Sequence, residues 1–256
     1  MTPQKQTDSD SRPSTDRPLA IVTGGARRVG RAICLALARQ GFDVVLTYRT
    51  SRAEAEDTCR QCRSNGVWAR SHHLDLSNVH HTEECSKSLL GEFPEIDLLV
   101  HCAGQYEASK WGDVTADSLE SHYRVNVTTP VLMLQTLAPA LRASGGSVVL
   151  FGDIHASGRP RNGYLAYSLS KSAVEASVRL LALELAPEIR VNGIAPGVIA
   201  WPEDTASDER DAYEQRIPLK RAGTPEDAAA LVVFLACNAA YVTGEIIALD
   251  GGRRLC

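Results

Sequence analysis

Short apolar runs rich in β-branched residues alternate with longer helical patterns along the chain of 256 residues. This alternation predicts strands that pair in parallel through right-handed helical crossovers, with helices on both faces of the sheet. We therefore expect an α/β fold with a doubly wound, seven-stranded parallel sheet. The predicted strands are Leu19–Thr23, Val44–Thr47, Val67–His73, Asp97–His101, Ser147–Phe151, Ile189–Ile194 and Glu245–Leu249.

Helical spacing of apolar residues fills most of the intervals between these strands. The predicted helices are Arg28–Arg39, about 51–64, about 118–143, Leu165–Ala186 and Pro225–Cys237. Pro130 and Pro139 are expected to kink or break the third of them. No linker rich in Pro, Gly or Ser interrupts the alternation, so residues 18–256 are predicted to form one domain. The polar residues 1–17 are predicted to be a disordered tail.

Charge and cysteine usage exclude several classes of protein. The net charge is −4 and the sequence pI is about 6.0, so nucleic acids and anionic membranes have no overall electrostatic attraction to the chain. No apolar run approaches the roughly 20 residues that span a bilayer. The seven cysteines are odd in number and irregularly spaced, which predicts reduced thiols and a cytoplasmic location.

The sequence offers no complete set of metal ligands, so no metal site is expected. Cys59 and Cys62 form one CxxC without a second pair, and we expect them on an ordinary helix surface. The pairs at positions 72–73 and 80–81 are adjacent histidines without carboxylates or thiols at ligand spacing, and are likewise expected at the surface.

The glycine-rich turn after the first strand has the composition of a phosphate cradle. Glycines let the backbone approach a pyrophosphate closely, and the following helix N-terminus adds free N–H groups and a positive dipole. A doubly wound sheet binds dinucleotides at this junction, although such a turn can also serve only to permit a tight bend. The residues expected to contact a cofactor are Thr23, Gly24, Arg27, Arg28, Val29 and Gly30.

The end of the second strand predicts which nicotinamide cofactor is preferred. Folds that select NAD carry an acidic residue there for the ribose 2′-hydroxyl, but this chain has Tyr48, Arg49, Thr50 and Ser51. An arginine pairs with a phosphate as a charged fork. We therefore expect NADPH, with a solvated arginine at a strand end as the alternative reading of Arg49.

Tyr167 and Lys171 lie four residues apart on a predicted helix and so share one face. A cation near a phenol favours the phenolate, so Lys171 is expected to lower the pKa of Tyr167 toward a value useful for proton transfer.

At this point the chain resembles the short-chain dehydrogenase/reductase family, over about residues 18–253. The matching pieces are Thr23–Gly30, Asp75-Leu76, His101–Gly104, Asn126, Tyr167 with Lys171, Pro196-Gly197 and Asp250–Gly252. The resemblance implies a single-domain Rossmann-type enzyme and a homotetramer formed partly by the helices at about 118–143 and 165–186. It also implies cofactor contacts from Asp75, Leu76, Cys102, Ala103, Gly104, Lys171, Pro196 and Gly197.

The resemblance also assigns roles to the catalytic residues. Tyr167 donates or accepts the proton, Lys171 holds the nicotinamide ribose, and Asn126 anchors a water of the proton relay. Asp75 would lie by the adenine. A mobile lid would cover the substrate at about residues 198–220, and Trp201 within it is expected to line the pocket.

Two departures from the family pattern resemble the pteridine reductases, including the bacterial dihydromonapterin reductases. Arg28 replaces the middle glycine of TGxxxGxG, and Asp153 takes the place of the serine after the fifth strand. The resemblance implies that Arg28 contacts cofactor phosphate and pterin, and that Asp153 assists protonation. Tyr106 would sandwich the pterin against the nicotinamide. Asp153 can also be read as an N-cap or turn aspartate.

The sequence therefore predicts an NADPH-dependent reductase that transfers hydride to a C=N bond of a pterin-type small molecule, such as a dihydropterin or dihydrofolate. The substrate contacts expected are Arg28, Tyr106, Asp153, Tyr167 and Trp201. A carbonyl reductase of the same family, acting on a 3-oxoacyl, quinone or sugar-type substrate, is the alternative. A non-catalytic NADP-binding protein is a third reading, which the presence of both Tyr167 and Lys171 disfavours.

Overall fold

The fold is described from a computed structural model, which covers residue 12, residues 16–201 and residues 205–256, without the side chain of Ser157. Most of the predicted tail, residues 1–17, lies outside these described residues. Within it, the Nε of Arg12 donates to Oδ2 of the buried Asp43 at 2.8 Å.

Seven parallel strands form one sheet in the order β3-β2-β1-β4-β5-β6-β7. The predicted fold class is confirmed, and each predicted strand is present with its ends shifted by at most two residues. Apolar β-branched residues suit these central strands because both faces of the sheet are covered by helices. The strands are β1 Leu19–Thr23, β2 Asp43–Tyr48, β3 Ala69–His73, β4 Leu98–His101, β5 Ser147–Phe151, β6 Arg190–Pro196 and β7 Ile246–Leu249.

Nine α-helices join or flank the strands in the described part of the chain. Three of them had no predicted counterpart: α3, which Asn78 caps through the N–H of His81, and the short helices α6 and α8. The helices are α1 Arg28–Arg39, α2 Arg52–Arg63, α3 Val79–Glu92, α4 Ala116–Tyr123, α5 Thr129–Ser144, α6 Ile154–Ser157, α7 Leu165–Leu185, α8 Ser207–Glu214 and α9 Pro225–Cys237.

The long predicted helix at about 118–143 is divided, but not where its prolines suggested. A turn of π-helix at Arg124–Thr128 separates α4 from α5. Pro130 falls in the first turn of α5, where a missing N–H costs no hydrogen bond, and Pro139 lies inside α5. The interruption therefore lies in the wider turn directly before Pro130, and Pro139 does not end the helix.

The predicted surface position of the CxxC cysteines was also wrong. Cys59 and Cys62 are fully buried on the face of α2 that packs against the core, together with Cys34 of α1. Burial raises the pKa of both α2 thiols to about 12, so they act as small apolar side chains.

The adjacent histidines lie near the sheet edge, with His73 and His80 exposed and His72 and His81 partly buried. Among the described residues no group of His, Cys, Asp and Glu is arranged to hold a metal ion. None of the described helices combines the length and apolar character needed to cross a membrane.

A buried imidazole joins the ends of the two central strands. His101, at the end of β4, pairs through Nδ1 with the hydroxyl of Thr23 at the end of β1, at 3.0 Å. The same hydroxyl accepts from the N–H of Ala103 at 3.2 Å. Burial, with a smaller contribution from the ammonium of Lys171, lowers the pKa of His101 to about 3, so its ring is neutral in the folded protein.

We expect His101 to make folding stability depend on pH. The folded pKa lies below the ordinary value of 6.5, so the stabilisation is fully present above pH 6.5 and is lost as the pH falls toward 3. Over that window the group contributes a slope of up to about 1.4 kcal/mol per pH unit. Urea unfolding at pH 7, 6, 5 and 4 should show a shallower pH dependence for His101→Asn than for the parent.

The matched control is His80→Asn, because the side chain of His80 is exposed on α3 and pairs only with Glu84. This variant should follow the parent at every pH. Equal slopes for the parent and His101→Asn would show that the buried imidazole does not limit acid stability.

Candidate active site

A cleft of about 720 Å³ opens at the carboxyl ends of β1, β2 and β4 and beside the segment that follows β3. The strand order reverses between β1 and β4, and the crevice at such a reversal is the binding place of open α/β sheets. Most of the predicted cofactor contacts line it: Gly24, Arg27, Arg28, Val29, Gly30, Tyr48, Arg49, Thr50, Asp75, Leu76, Cys102, Ala103 and Gly104.

Steric contacts explain why the turn after β1 needs its glycines. A Cβ on Gly30 would lie 2.1 Å from the carbonyl oxygen of Gly24, and one on Gly25 would lie 2.6 Å from Cβ of Leu46. Gly24 itself has φ +70°, a conformation that favours glycine. Helix α1 then starts with no side-chain cap and no acidic residue in its first turn, so its N–H groups are available to an anion.

Arg28 connects this turn to the opposite wall of the site. Its backbone has φ +49°, which is uncommon for a residue with a side chain. Its Nη2 donates to the carbonyl oxygen of Ala200, just beyond β6, at 2.7 Å. The guanidinium thus spans the cleft between the glycine-rich turn and the start of the predicted lid.

The end of β2 brings cationic and hydroxyl groups to the far side of the cleft. The lining here contains Arg49, Thr50 and Ser51. The acidic residue Asp75 also lines the cleft, close enough to Arg49 to interact with its charge. A side-chain hydrogen bond from Ser77 is the main cause that lowers the pKa of Asp75, and Arg49 contributes to the same shift. The carboxylate is therefore held by Ser77 beside a guanidinium.

Four predicted cofactor contacts do not line the cleft: Thr23, Lys171, Pro196 and Gly197. Thr23 is fully buried beneath it, where its hydroxyl bonds His101 and the Ala103 N–H. Pro196 ends β6, and a Cβ on Gly197 would lie 3.1 Å from Cβ of Asp250. These residues support the walls of the cleft through packing and hydrogen bonds.

The π-helical turn between α4 and α5 carries Asn126 into the floor of the site. Its Oδ1 accepts from the N–H of Gln105 at 2.8 Å, and its Nδ2 donates to the Gln105 carbonyl at 3.1 Å and to Oγ of Ser170 at 2.9 Å. The amide is thereby fixed between the β4 loop and α7. π-helical turns often mark functional positions in helices.

Asp153 makes two contacts, one with each carboxylate oxygen. Oδ1 accepts from the N–H of His155 at 2.8 Å and caps the short helix α6. Oδ2 accepts from the hydroxyl of Tyr167 at 2.6 Å. The N-cap reading is therefore correct, and the second contact places the carboxylate beside Tyr167.

The expectation that Lys171 lowers the pKa of Tyr167 was wrong for this structure. Burial and the adjacent Asp153 raise the pKa of Tyr167 well above its usual value. The ammonium of Lys171 instead donates to the carbonyl oxygen of Phe151 at 2.7 Å and lies 5.9 Å from the Tyr167 ring centroid. Burial lowers the pKa of Lys171 itself. The phenol is thus held protonated, as a donor to Asp153.

Tyr106 lies at the mouth of the cleft with about half of its surface exposed, 51%. Its ring stacks on Tyr164 at 4.8 Å and meets the edge of Tyr167 at 4.7 Å. Arg161 donates to its hydroxyl at 3.0 Å and lies 4.5 Å from the Tyr164 ring centroid. One face of the Tyr106 ring is therefore already occupied by Tyr164.

Trp201 packs against α8, and it is not among the residues that line the described cleft. Its Nε1 donates to Oε1 of Glu214 at 3.1 Å, and its ring packs edge-on against Tyr213 at 5.3 Å. Residues 202–204 of the predicted lid lie outside the described part of the chain. His155 bonds the Arg159 carbonyl through Nδ1 at 2.6 Å.

Sequence reasoning missed three residues that contribute to the site. Gln105 fixes Asn126, Tyr164 stacks on Tyr106, and Arg161 joins the two aromatic rings. The position of Tyr164, three residues before Tyr167 on the same helical stretch, was a signal that both rings reach one place. Arg161 gave no such signal, because it lies in an irregular loop.

The arrangement combines an open phosphate-binding turn with a protonated phenol, a carboxylate, an amide and a buried ammonium. Such a set suits the binding of a nucleotide and the transfer of a proton beside it. Tyr167, Asn126 and Lys171 are not in the cleft lining themselves, but they adjoin its residues Tyr106, Gln105 and Gly104.

Comparisons with known proteins agree with this geometry. The family model described as enoyl-(acyl carrier protein) reductase matches residues 24–254. An uncharacterized oxidoreductase of Mycobacterium tuberculosis is 34% identical, over 93% of this chain and 92% of its own. A 3-oxoacyl-(acyl-carrier-protein) reductase of Staphylococcus epidermidis is 31% identical, over 91% and 97%. The crystal structure of acetoin dehydrogenase from Salmonella typhimurium superposes with a TM-score of 0.85, at 31% identity over 93% and 98%.

The family match extends over strands β2 to β7, the glycine-rich turn from Gly24 onward and the Tyr167–Lys171 pair together, so it accounts for most of the sheet and for the cleft at its edge. The chain is an oxidoreductase of the short-chain dehydrogenase/reductase family.

Proposed function

We propose that the protein is an NADPH-dependent reductase that transfers hydride to a C=N bond of a dihydropterin-type substrate, dihydrofolate included. The observation that carries this proposal is the 2.6 Å hydrogen bond from Tyr167 to Asp153. A C=N bond gains hydride at carbon and a proton at nitrogen, and a carboxyl next to the phenol gives the site a second group that can hold that proton.

The residues of the cleft fit a dinucleotide with an extra phosphate. A family of this kind binds NAD(P)H, and the turn that lines the cleft can close only because Gly24 and Gly30 have no Cβ to meet Ala103 and the Gly24 carbonyl. Arg27 and Arg28 would hold the pyrophosphate with the α1 N–H groups, and Arg49 would hold the 2′-phosphate. When bound, NADPH supplies the hydride. This fit supports NADPH over NADH.

The inner residues would divide the handling of the proton. Tyr167 holds its proton toward Asp153 and would pass it to a substrate nitrogen; the Asp153 carboxylate, once protonated from solvent, would return a proton to the phenolate along the same hydrogen bond. Lys171 is buried close beneath the exposed Gly104 and would face the nicotinamide ribose. Asn126 keeps the Gln105 loop in place and would anchor a water.

A planar substrate would lie between the cofactor and the mouth of the cleft. Tyr106 is half exposed there, and Arg28 reaches across from the glycine-rich turn. Aromatic faces and guanidinium planes both stack on flat heterocycles. A lid at about 198–220, which contains α8, would close over this space.

A carbonyl reductase is the second candidate, and the names of relatives favour it. One relative is named as a 3-oxoacyl-(acyl-carrier-protein) reductase and a solved neighbour as an acetoin dehydrogenase. In that reaction Tyr167 alone would protonate an alkoxide, and the contact of Asp153 with Tyr167 would be incidental. The homotetramer, the cytoplasmic location and the one-domain organisation with an N-terminal tail remain part of the proposal.

Asp153→Ser should separate the two candidates. If the carboxyl assists protonation, turnover of dihydrobiopterin and dihydrofolate should fall by about 100-fold or more while the Kd for NADPH stays unchanged. The rate is followed as NADPH oxidation by absorbance, and the Kd by fluorescence titration.

Asp113→Ser is the matched control, because Asp113 lies in an exposed turn and makes no side-chain contact with the site. It should behave as the parent does. If Asp153→Ser reduces pterins as fast as the parent, the pterin mechanism is wrong. If the parent reduces only 3-oxoacyl thioesters, quinones or acetoin, the carbonyl candidate replaces it.

Arg49→Glu tests the choice of cofactor. Removing the guanidinium from the end of β2 and placing a carboxylate there should weaken NADPH binding by about tenfold or more and improve binding of NADH. Arg52→Glu makes the same charge change on the exposed first turn of α2, outside the cleft lining, and should leave the ratio of the two KM values as it is in the parent. An unchanged ratio in Arg49→Glu would contradict the proposed role.

A further inference from the structure

A second cavity, of about 320 Å³, lies at the base of the lid, outside the cofactor cleft. Its described lining contains four cationic side chains and no Asp or Glu: Arg159, Gln215, Arg216, Ile217, Pro218, Lys220, Arg253 and Cys256. Cations that line one small cavity repel each other unless an anion lies between them. The main-chain carboxylate of Cys256 balances one of the four cations, so three positive charges of the lining are left without a counter-charge from the lining, and this excess suits an anion.

Arg253 is the buried member of this lining, with 4% of its surface exposed. It lies in the 3-10 turn after β7, where its Nη1 donates to a main-chain carboxylate oxygen of Cys256, the last residue, at 2.6 Å. Its Nε has no hydrogen-bond partner among the described residues. A buried guanidinium with an unused donor is costly unless an acceptor is supplied from outside the chain.

A second arginine is held against the same aromatic ring. The guanidinium carbons of Arg253 and Arg216 lie 5.3 Å and 5.5 Å from the ring centroid of Tyr213, on α8. The hydroxyl of Tyr213 is also buried without a partner in the described part of the chain. Tyr213 of α8 thus lies beside two positive charges, and its own hydroxyl is a further donor.

Lys220, which lines the cavity, has an unusual backbone conformation. With φ +56° it is one of two described residues other than glycine in the left-handed region, and the other is Arg28 of the cofactor cleft. Its Nζ donates to the carbonyl oxygen of Gln215 at 2.6 Å. Such conformations persist where the surrounding structure fixes them, commonly at binding sites.

We propose that this cavity binds a phosphate group, as the free dianion or as a phosphate monoester. A phosphate has the charge to balance several of the cations and enough acceptor oxygens for the donors of Arg253, Arg216 and Lys220. The ring of Trp201 packs on Tyr213, so binding should also be visible in tryptophan fluorescence. The proposal does not depend on which substrate the active site reduces.

The test is isothermal titration calorimetry of the full chain with inorganic phosphate, at fixed ionic strength in sodium chloride. NADP⁺ is present at saturation, so that the glycine-rich turn and Arg49 are not free to take up phosphate. The parent should bind about one equivalent with a Kd of roughly 1 mM or tighter. Arg216→Gln and Lys220→Gln should each weaken binding by about tenfold, because each removes a charged donor.

Lys87→Gln is the matched control, since Lys87 is an exposed lysine on α3, on another part of the surface. It should bind phosphate as the parent does. Arg216 and Lys220 are exposed, so their variants are expected to fold, which circular dichroism and the thermal midpoint check directly.

A parallel titration with glycerol 3-phosphate distinguishes the two sources of the group. Tighter binding than inorganic phosphate supports a phosphorylated small molecule, and equal or weaker binding supports the free ion. The proposal is overturned if the parent shows no saturable binding of either, or if folded Arg216→Gln and Lys220→Gln both bind as the parent does.

Discussion

The parallel pairing of β1 with β4 is the constraint on which the site depends. It places the end of β1, with its glycine-rich turn, beside the end of β4, with Ala103 and Gly104, at the point where the strand order reverses. The buried contact of Thr23 with His101 and the Ala103 N–H fixes the two ends to each other. A neutral imidazole suits this place because it can bond Thr23 without bringing a charge into the core.

The chemistry at the inner end of the cleft follows from what surrounds Tyr167. The phenol is buried, and its acceptor is a carboxylate, so its proton is retained in the absence of other ligands. Lys171 is committed to the carbonyl of Phe151 and Asn126 to the Gln105 loop. Lys171 and Asn126 are thus held by main-chain contacts, whereas the Tyr167 hydroxyl, hydrogen-bonded to Asp153, carries a proton that it can donate.

Cationic side chains lie in the cleft, at its mouth and beside α8. Arg28 reaches the Ala200 carbonyl from the glycine-rich turn, and Arg161 joins the aromatic rings at the mouth. Tyr213 packs against Trp201, and it also lies beside Arg216 and Arg253 of the second cavity. The net charge of −4 does not reveal these local groups of cations, because composition carries no information about where charged residues lie.

The sequence alone determined the strands, the glycine-rich turn and the Tyr167–Lys171 spacing, because these depend on local periodicity and on steric limits within a few residues. Only the tertiary structure decided that Asp153 reaches Tyr167, that Tyr106 stacks on Tyr164, and that Cys59 is buried. Those contacts join segments whose relative placement is set by how helices and loops pack on the sheet. Periodicity specifies which face of an element is apolar, but not which distant side chain meets it.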